Sequence, residues 1–490
     1  MKLSKEPKYR NTILVIVLTM TAFISLLNFG CSSHKPPEPD EIAIPVQVPL
    51  SFSTTGTTTS SAKWWENFND ENLNDLVTKA LSDNLSIKSG FARIDKARAQ
   101  LTSSRSRQRI TADASLNASI FNNGNNSPLN QGTSKSYSLS VPASYEVDLF
   151  DRLHNQTNAA ATNILLNKYA LEAIAQTLAA NVSETWFNIL RTQKELELSN
   201  KQTKLNQTYL ELMEVRFSQG QATALDVYQQ RQQLANTRLL LPAIKAEKDV
   251  LKNQLAILLG KAPGITKLPK PEIMPLLPPL PKTGLPINLL DNRPDVKQAF
   301  ARILIANSNL AAAISRKKPS LKISAEPGFG SVTPTDLFSG FLWRLGASLM
   351  APVLDGGRIK ANIFHNEAEV EESLNEYGSV IINAISEVEN ALIREKYQKE
   401  QIKQIKQNIS LTKDTLREAK LRYMHGLIDY LPSITALTAL QALERKLVSA
   451  QQKLLSHRLS LYRALGGDWS ARWLNTFSQK INSSSQKDSK

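Results

Sequence analysis

Side chains that mark enzymes and metal sites are scarce in this chain of 490 residues. Its one cysteine, Cys31, has no second cysteine with which to form a disulfide inside the chain. The five histidines, at positions 34, 154, 365, 425 and 457, are scattered without the spacing of metal ligands. Gly260-Lys261 and the glycines at 328 and 330 lack the strand-to-helix context of a phosphate-binding loop. The sequence therefore predicts no enzyme activity, no metal site and no cofactor.

The positive charge of the chain is not concentrated in one place. The net charge is +15, and lysine and arginine are spread through stretches with helical spacing. Proteins that bind nucleic acid usually group their cations in a patch or stripe. No basic cluster with interleaved aromatic residues is present, which argues against a nucleic-acid partner. Low glycine content and abundant Leu, Ala, Gln, Asn, Lys and Ser favour long polar-faced helices over a compact enzyme.

The first 30 residues have the pattern of a secretory signal peptide. Four cations precede an apolar run from Ile13 to Leu27, and Gly30-Cys31-Ser32-Ser33 follows it. The run is shorter than the roughly 20 residues that a membrane-spanning helix needs. A lone cysteine at this place resembles the lipidation site of a bacterial lipoprotein, with Cys31 acylated and Ser32 favouring outer-membrane sorting. The alternative is a non-cleaved anchor with an incidental cysteine.

The two halves of the chain repeat one another. Residues 215–220 (Val-Arg-Phe-Ser-Gln-Gly) return as residues 421–426 (Leu-Arg-Tyr-Met-His-Gly), at an offset of 206 residues. The same offset relates Arg152 to Arg358 and Leu259-Gly260 to Leu465-Gly466. A fixed offset over this length indicates two structural repeats.

Each half contains an alternating region followed by a long helical region. Apolar residues recur at every second position within 110–150 and 319–354, which predicts two β-hairpins. Their runs are about as long as the 9–11 residues of a membrane-crossing strand. Leu153 to Gln219 then contains no proline and no glycine, and one helix over that range would be on the order of 100 Å long. Gly220 and Gly426 end the two helical regions, which predicts two helical hairpins with tips at these glycines.

These patterns divide the chain into six regions. They are a signal peptide at 1–30, a lipidated N-terminus and extended tether at 31–63, a first structural repeat at 64–261, a proline-rich linker at 262–286, a second structural repeat at 287–470 and a disordered tail at 471–490. The eight prolines of the linker exclude helix and central strand, so we expect the linker on the outside of the structure.

Two β-hairpins supply too few strands for a membrane barrel. A single-chain barrel needs about eight strands, and unpaired strand edges are not tolerated in lipid. If the strands enter a membrane, several copies must assemble, and three copies would supply twelve strands and twelve helical arms. The expected fold class is therefore mainly α with membrane β, with internal duplication.

Six motifs follow one another along nearly the whole mature chain. Each is weak singly, and their specificity comes from their order together with the duplication. They are Trp64-Trp65-x-x-Phe68-x-Asp70-x-x-Leu73, Tyr145 to Arg152 (YEVDLFDR), Asn292 to Val296 (NRPDV), Ala351 to Arg358 (APVLDGGR), Glu387 to Leu392 (EVENAL) and Leu461 to Trp469 (LYRALGGDW). In these motifs the chain resembles the TolC/OprM/NodT-type outer-membrane factors, which are outer-membrane efflux lipoproteins of tripartite export systems.

The resemblance implies a TolC-like homotrimer in a Gram-negative bacterium. Its strands would form a twelve-stranded outer-membrane β-barrel, and its helical hairpins a periplasmic α-barrel closed at the far tip. The implied partners are a periplasmic adaptor, an inner-membrane pump of the RND type and outer-membrane lipid. Such a duct carries small toxic compounds and catalyses nothing. The alternatives are a TolC-like duct for type I protein secretion and, more remotely, a periplasmic structural rod.

The resemblance also implies a gate at the hairpin tips. The tyrosine three residues before the second tip glycine is Tyr423, and the aspartate six residues after the first is Asp226. Arg216, Arg422 and Asp429 lie close enough in sequence to join them. The alternative is that Asp226 and Asp429 only cap the returning helices.

The tip glycines themselves are the expected docking points for the adaptor. Glycine at a tight turn permits positive φ and close backbone approach, and Gly220 and Gly426 both hold such positions. The alternative is that they are only turns. Pro432 and Thr435 stand where the family often carries aspartates, so an acidic ring at the constriction is not expected.

Overall fold

A computed structural model describes residues 34–58, 63–123, 132–265, 269, 273–467 and 469–476. The predicted signal peptide and Cys31 lie outside these residues. The chain divides into two compact units. Of the described residues, the strand unit comprises those within 34–43, 95–165 and 300–375, and the helix unit comprises those within 44–94, 166–299 and 376–476.

Helices dominate the described residues, and each half contains a very long one. The helices are α1 Glu71–Asp83, α2 Leu85–Ser106, α3 Arg152–Ser218, α4 Ala224–Leu258, α5 Leu289–Asn292, α6 Pro294–Ser315, α7 Arg358–Met424 and α8 Leu431–Leu465. The strands are β1 Thr111–Ala112, β2 Ser115–Asn123, β3 Gly132–Ser140, β4 Ala143–Val147, β5 Ser320–Ser331 and β6 Phe341–Met350.

The internal duplication gives pairs of helices of equal length. α3 and α7 each have 67 residues, and α4 and α8 each have 35. An aspartate caps the start of each long helix, since Asp148 accepts from the backbone N–H of His154 at 2.7 Å and Asp355 from that of Ile359 at 2.7 Å. Within the described residues no helix combines the length and apolar composition needed to cross a membrane.

The strand unit contains one antiparallel sheet. β3 and β4 follow one another along one side of β5, and β6 pairs with the other side of β5. β2 and β1 pair with β3 and β4 on the side away from β5. The six segments therefore act as four strands, as expected from the two predicted hairpins.

The register places mostly apolar side chains on one face of this sheet and mostly polar ones on the other; the exceptions include Lys135 on the apolar face and Phe121, Leu342 and Met350 on the polar face. One face carries Leu116, Ile120, Tyr137, Leu139, Tyr145, Val147, Leu321, Ile323, Phe329, Trp343, Leu345 and Leu349. The other carries Asn117, Ser119, Ser138, Glu146, Lys322, Ser324, Glu326, Arg344 and Ser348. In the single chain Trp343 is 73% exposed and Leu345 is 69% exposed, so the apolar face lacks a cover. Alternation of this kind is typical of strands that face lipid on one side.

Aromatic residues of the first motif form part of the core of the helix unit. The ring of Trp64 stacks on Tyr462 with centroids 5.9 Å apart, and Trp65 meets Trp469 edge-on at 4.8 Å. Asp70 caps α1 and also accepts a hydrogen bond from Trp186 Nε1 at 2.7 Å. Ring packing thus joins the first of the six motifs to the last one, Leu461 to Trp469.

The proline-rich linker is packed against the helix unit, so its expected place on the outside is wrong for several residues. Pro278, Pro281, Thr283 and Pro286 are buried. At Pro278 the reason is Arg458, which is fully buried and donates to the carbonyl oxygens of Pro278 and Pro279. The same guanidinium makes two hydrogen bonds to the Glu395 carboxylate, at 2.7 and 2.6 Å. Proline carbonyls remain strong acceptors, and the buried arginine supplies their donors.

The N-terminal tether is extended but is also fixed to the helix unit. Phe52 is buried, and Ser53 donates to Glu389 through its backbone N–H at 2.8 Å and its hydroxyl at 2.6 Å. Thr58 forms a β-bridge with Pro281 of the linker. The tether and the linker therefore hold one another against the same unit.

The predicted disordered tail begins too early in the sequence. Residues 471–476 are helical, in continuation of 469–470, and the side chain of Leu474 is 5% exposed. The ring of Trp473 lies 6.2 Å from that of Phe91. Because this short helix buries apolar side chains, the prediction of disorder from 471 is wrong for these six residues. Residues 477–490 lie outside the described residues.

Candidate functional site

The tips of both helical hairpins lie in the helix unit and have the same turn. Gly220 has φ +70° and Gly426 has φ +69°. The backbone N–H of Gln221 donates to the carbonyl of Arg216 at 2.8 Å, and that of Leu427 to the carbonyl of Arg422 at 2.9 Å. This is the Schellman arrangement, in which glycine takes the left-handed position after the helix. A Cβ at either glycine would meet no atom within 4 Å, so the chain leaves both turns open.

The two returning helices begin differently. In α4, Thr223 is the N-cap: its hydroxyl accepts from the Asp226 N–H at 3.2 Å, and the Asp226 carboxylate accepts from the Thr223 N–H at 2.9 Å. This reciprocal pair is a capping box. In α8 the N-cap is Tyr430, without a side-chain cap, and a proline occupies the first turn. Asp226 therefore takes part in a cap, whereas Asp429 is exposed and does not cap α8.

Three of the five predicted gate residues come together between the hairpins. The hydroxyl of Tyr423 donates to Met213 Sδ at 3.3 Å, and the Arg216 guanidinium carbon lies 5.2 Å from the centre of its ring. Burial raises the pKa of Tyr423, the Asp226 carboxylate raises this pKa further, and Arg216 lowers it. A tyrosine of the second hairpin thus contacts Met213 and Arg216 of the first hairpin, and the Asp226 carboxylate of the first hairpin acts on it electrostatically.

The other two predicted gate residues are not part of this group. Arg422 donates from Nε to Glu418 at 2.8 Å within α7, one turn away, and both side chains are exposed. Asp429 is exposed in the turn before α8. Exposed pairs of this kind contribute about 0–1 kcal/mol.

Tyr430 is a site residue that the sequence analysis missed. Its ring lies 5.1 Å from that of Tyr423, and its hydroxyl donates to Gln230 Oε1 at 2.7 Å. Burial raises the pKa of Tyr430, so this hydroxyl stays protonated as a donor. Both tyrosines pack on an apolar cluster that includes Leu210, Met213, Val227, Leu234 and Ile434. The only sequence signal for Tyr430 is its position directly before Leu431-Pro432, where the second hairpin turns back.

A buried amide network links the hairpins next to this cluster. Asn206 Nδ2 donates to Gln441 Oε1 at 3.2 Å, and Gln441 Nε2 donates to Asn206 Oδ1 at 3.1 Å. Gln233 Nε2 also donates to Gln441 Oε1 at 3.0 Å, and Asn206 Nδ2 to Thr237 Oγ1 at 2.8 Å. Gln230 joins the network to Tyr430, because its Nε2 donates to the carbonyl of Asn206 at 2.8 Å. In a buried network each lost partner leaves an unsatisfied polar group, so it favours one alignment of the helices.

The chain matches the outer membrane efflux protein family over residues 76–261 and 285–467. It belongs to this family. The cation efflux system protein CusC of Escherichia coli O6:H1 is 27% identical over 458 residues, which cover 91% of this chain and 97% of CusC. The pyoverdine export outer membrane protein OpmQ of Pseudomonas putida is 27% identical over 457 residues, with coverages of 91% and 97%. A crystal structure of CusC superposes with a TM-score of 0.80 at 25% identity, covering 89% of this chain and 99% of that one.

Membership of the outer membrane efflux protein family confirms the predicted family and fold class. Long helical hairpins combined with four strands per chain are the TolC-like channel fold, found here and in the CusC structure. The chain is an outer-membrane channel component of a tripartite efflux system. The family is one of channels and not of enzymes.

Substitution of Tyr430 tests the link between the cluster and the amide network. Tyr430→Phe removes the donor to the fully buried Gln230, and an unsatisfied buried acceptor costs about 1–3 kcal/mol. We expect a lower midpoint of thermal unfolding, measured by circular dichroism in detergent. Tyr228→Phe is the matched control, because Tyr228 is 65% exposed on α4. Equal midpoints for the two variants would contradict the link.

Proposed function

We propose that three copies of this chain assemble into a duct that carries small toxic compounds across the outer membrane, with the hairpin tips as its gate. The observation that carries the proposal is the contact of Tyr423 with Met213 and Arg216 of the other hairpin, where the Asp226 carboxylate also acts on it electrostatically. The duct catalyses nothing; its work is to open and close.

The bare edges of the sheet support the assembly of several copies. Within the described residues β2 pairs only with β3, and β6 pairs only with β5. Unpaired backbone groups are costly in lipid, and a closed barrel satisfies them. Four strands from each of three copies give the twelve that a barrel of this family needs. The uncovered apolar face would then meet lipid, and the face with Lys322, Glu326 and Arg344 would line the interior.

The chemistry of the tip supports a gate that a partner can open. Contacts made by Tyr423 with a thioether, a guanidinium and a carboxylate are individually weak. Exposed or half-exposed polar contacts of this kind contribute on the order of 1 kcal/mol each. A periplasmic adaptor that binds the tips could therefore supply enough free energy to separate the hairpins.

We infer the partners and the cargo of this chain from its membership of the family. The proposed partners are a periplasmic adaptor, docked at Gly220 and Gly426, and an inner-membrane pump of the RND type. CusC is named for cation efflux and OpmQ for pyoverdine export. Because these two relatives are equally similar to the chain and differ in cargo, small toxic compounds are proposed only as a class. A lipid on Cys31 would anchor the duct in the outer membrane.

Loosening the tip tests the gate. Tyr423→Phe and Asp226→Ala each remove a contact worth about 1 kcal/mol per chain, repeated in each of three copies. We expect the open probability of the purified protein in planar bilayers to rise roughly tenfold or more for each variant. Wild-type conductance in both variants would remove the gate assignment.

Two controls separate the gate from the helix cap. Thr223→Ala breaks the same capping box as Asp226→Ala but leaves the carboxylate beside Tyr423. Asp429→Ala removes an exposed carboxylate close to the same tip. Both should conduct like the wild type. If Thr223→Ala leaks as much as Asp226→Ala, the cap and not the gate contact explains the leak.

Metabolic labelling with radioactive palmitate tests the lipid anchor. Wild-type protein should incorporate the label, and Cys31→Ser should not, because Cys31 is the only cysteine of the chain. Equal labelling of both would show that Cys31 is not the lipidation site.

Adaptor docking at the tips is tested by closing the two open turns. The double variant Gly220→Ala/Gly426→Ala adds a methyl group where a partner backbone would approach, at positive φ. We expect a severalfold loss of the periplasmic adaptor that co-purifies with the chain. Gly264→Ala is the matched control, since Gly264 also has positive φ (+83°) and no atom within 4 Å. An equal loss in the control would show that backbone strain alone is responsible.

A further inference from the structure

A small cavity lies directly beside the proposed gate. Its volume is about 130 Å³, and its wall is formed by residues of α3, α7 and the start of α8. Three tyrosines, Tyr209, Tyr423 and Tyr430, supply most of the aromatic surface, and Met213 and Leu437 add apolar contacts. An apolar cavity of about 150 Å³ is large enough to take up one benzene molecule. The space therefore fits a single small ring and little more.

Two polar atoms of the wall have no partner. Ser433 is 2% exposed, and its hydroxyl makes no hydrogen bond within the described part of the chain. Arg216 Nε is likewise buried without an acceptor. Both residues line the cavity. Buried polar groups are nearly always hydrogen-bonded, so a donor pair of this kind indicates that something with acceptor atoms belongs between them.

The two charged side chains that line the cavity are both cations, while the Asp226 carboxylate acts on Tyr423 and Tyr430 from outside the lining. Arg216 and Lys420 line the cavity, and no carboxylate is among its described lining residues. Lys420 Nζ donates to the Tyr209 hydroxyl and lies 4.3 Å from the centre of that ring. Arg216 lies over Tyr423 in the same way, at 5.2 Å. Both cations are thus held by aromatic rings, which leaves them able to attract an anion.

We propose that this cavity binds a small aromatic carboxylate. The ring would lie among the tyrosines and Met213, and the carboxylate would accept from the Ser433 hydroxyl, Arg216 and Lys420. Carboxylates accept more strongly from charged donors than neutral oxygens do. The binding itself depends only on the cavity and not on the proposed function.

The effect of such a ligand on transport rests on the proposed function. The cavity wall joins α3 of the first hairpin to α7 and α8 of the second, and it includes Tyr423. A ligand that contacts both hairpins in this arrangement favours it over any arrangement in which they separate. Bound aromatic carboxylate should therefore lower the open probability of the duct.

Calorimetric titration of the full-length protein in detergent with sodium benzoate tests the site. We expect saturable binding with one site per chain. Acetate, which has the charge without the ring, and benzylamine, which has the ring with the opposite charge, should give no saturable heat. Equal binding of acetate would reveal an adventitious anion only, and no saturable heat with benzoate would show that water alone fills the cavity. Either result would overturn the proposal, as would equal binding of benzylamine.

Variants assign the binding to the named atoms. Ser433→Ala removes a hydroxyl without a partner, so the unfolding midpoint should not fall while benzoate binds roughly fivefold more weakly. Lys420→Gln should weaken binding about tenfold or more, because it removes a charged donor. Arg422→Gln is its matched control, since it removes the same charge on α7 but its side chain is exposed and pairs with Glu418. Equal weakening by the two charge variants would show diffuse attraction rather than a site.

Bilayer recordings with benzoate separate this proposal from the gate assignment. Binding that lowers the open probability supports both. Binding without a change in conductance supports the site and contradicts the gate. Absence of calorimetric binding removes the site whatever the conductance.

Discussion

Backbone hydrogen bonding decides where the elements of this chain can end. The 67-residue helices α3 and α7 contain no proline, so their interior peptide groups can pair along the helix, and at the tips the Schellman turns of Gly220 and Gly426 satisfy carbonyls of the last turn. In the proline-rich linker, prolines cannot donate to a backbone ladder. There the guanidinium of Arg458 supplies the donors for two of the backbone carbonyls. Within the described residues, β1 and β2 at one edge of the sheet and β6 at the other each have a strand partner on one side and none on the other. The proposed assembly of several copies would satisfy those edges by pairing them with the edges of neighbouring subunits.

The long helices of the two repeats are equal in length, but the chemistry at their tips differs. The first returning helix has a capping box, and the second begins at an uncapped tyrosine followed by a proline. The two repeats therefore share their helix lengths, whereas the contacts between the hairpins depend on residues that differ between the two repeats. Arg216 and Arg422 occupy equivalent positions, yet the first faces Tyr423 and the second pairs with Glu418 on its own helix.

Long-period features of the structure could be predicted from the sequence, and single long-range contacts could not. The helices and the four strands have periodic sequence patterns, and the tip glycines end the helical regions. Because the chain is duplicated, each of these signals occurs twice. Tyr430, the amide network and the Arg458–Glu395 pair leave none, because their partners lie far away along the chain, as in the bond from Asn206 to Gln441. The tail is a further case: Leu474 stands at the start of a mostly polar stretch of sequence, and only the fold supplies its apolar cover. The resemblance to the family named Tyr423 and Asp226, but not the cluster that surrounds them.

The buried pair of Arg458 and Glu395 fixes α7 against α8 at one point of the second hairpin. The position of the tip then depends on the number of residues between that point and the tip. Each residue of a helix adds about 1.5 Å of rise and about 100° of rotation. Deleting one residue of α7 between Glu395 and Tyr423 would therefore swing the tyrosine off the first hairpin while leaving every residue type intact. The count of residues in these arms is itself under constraint, so an insertion or deletion in one arm can survive only with a compensating change in its neighbour.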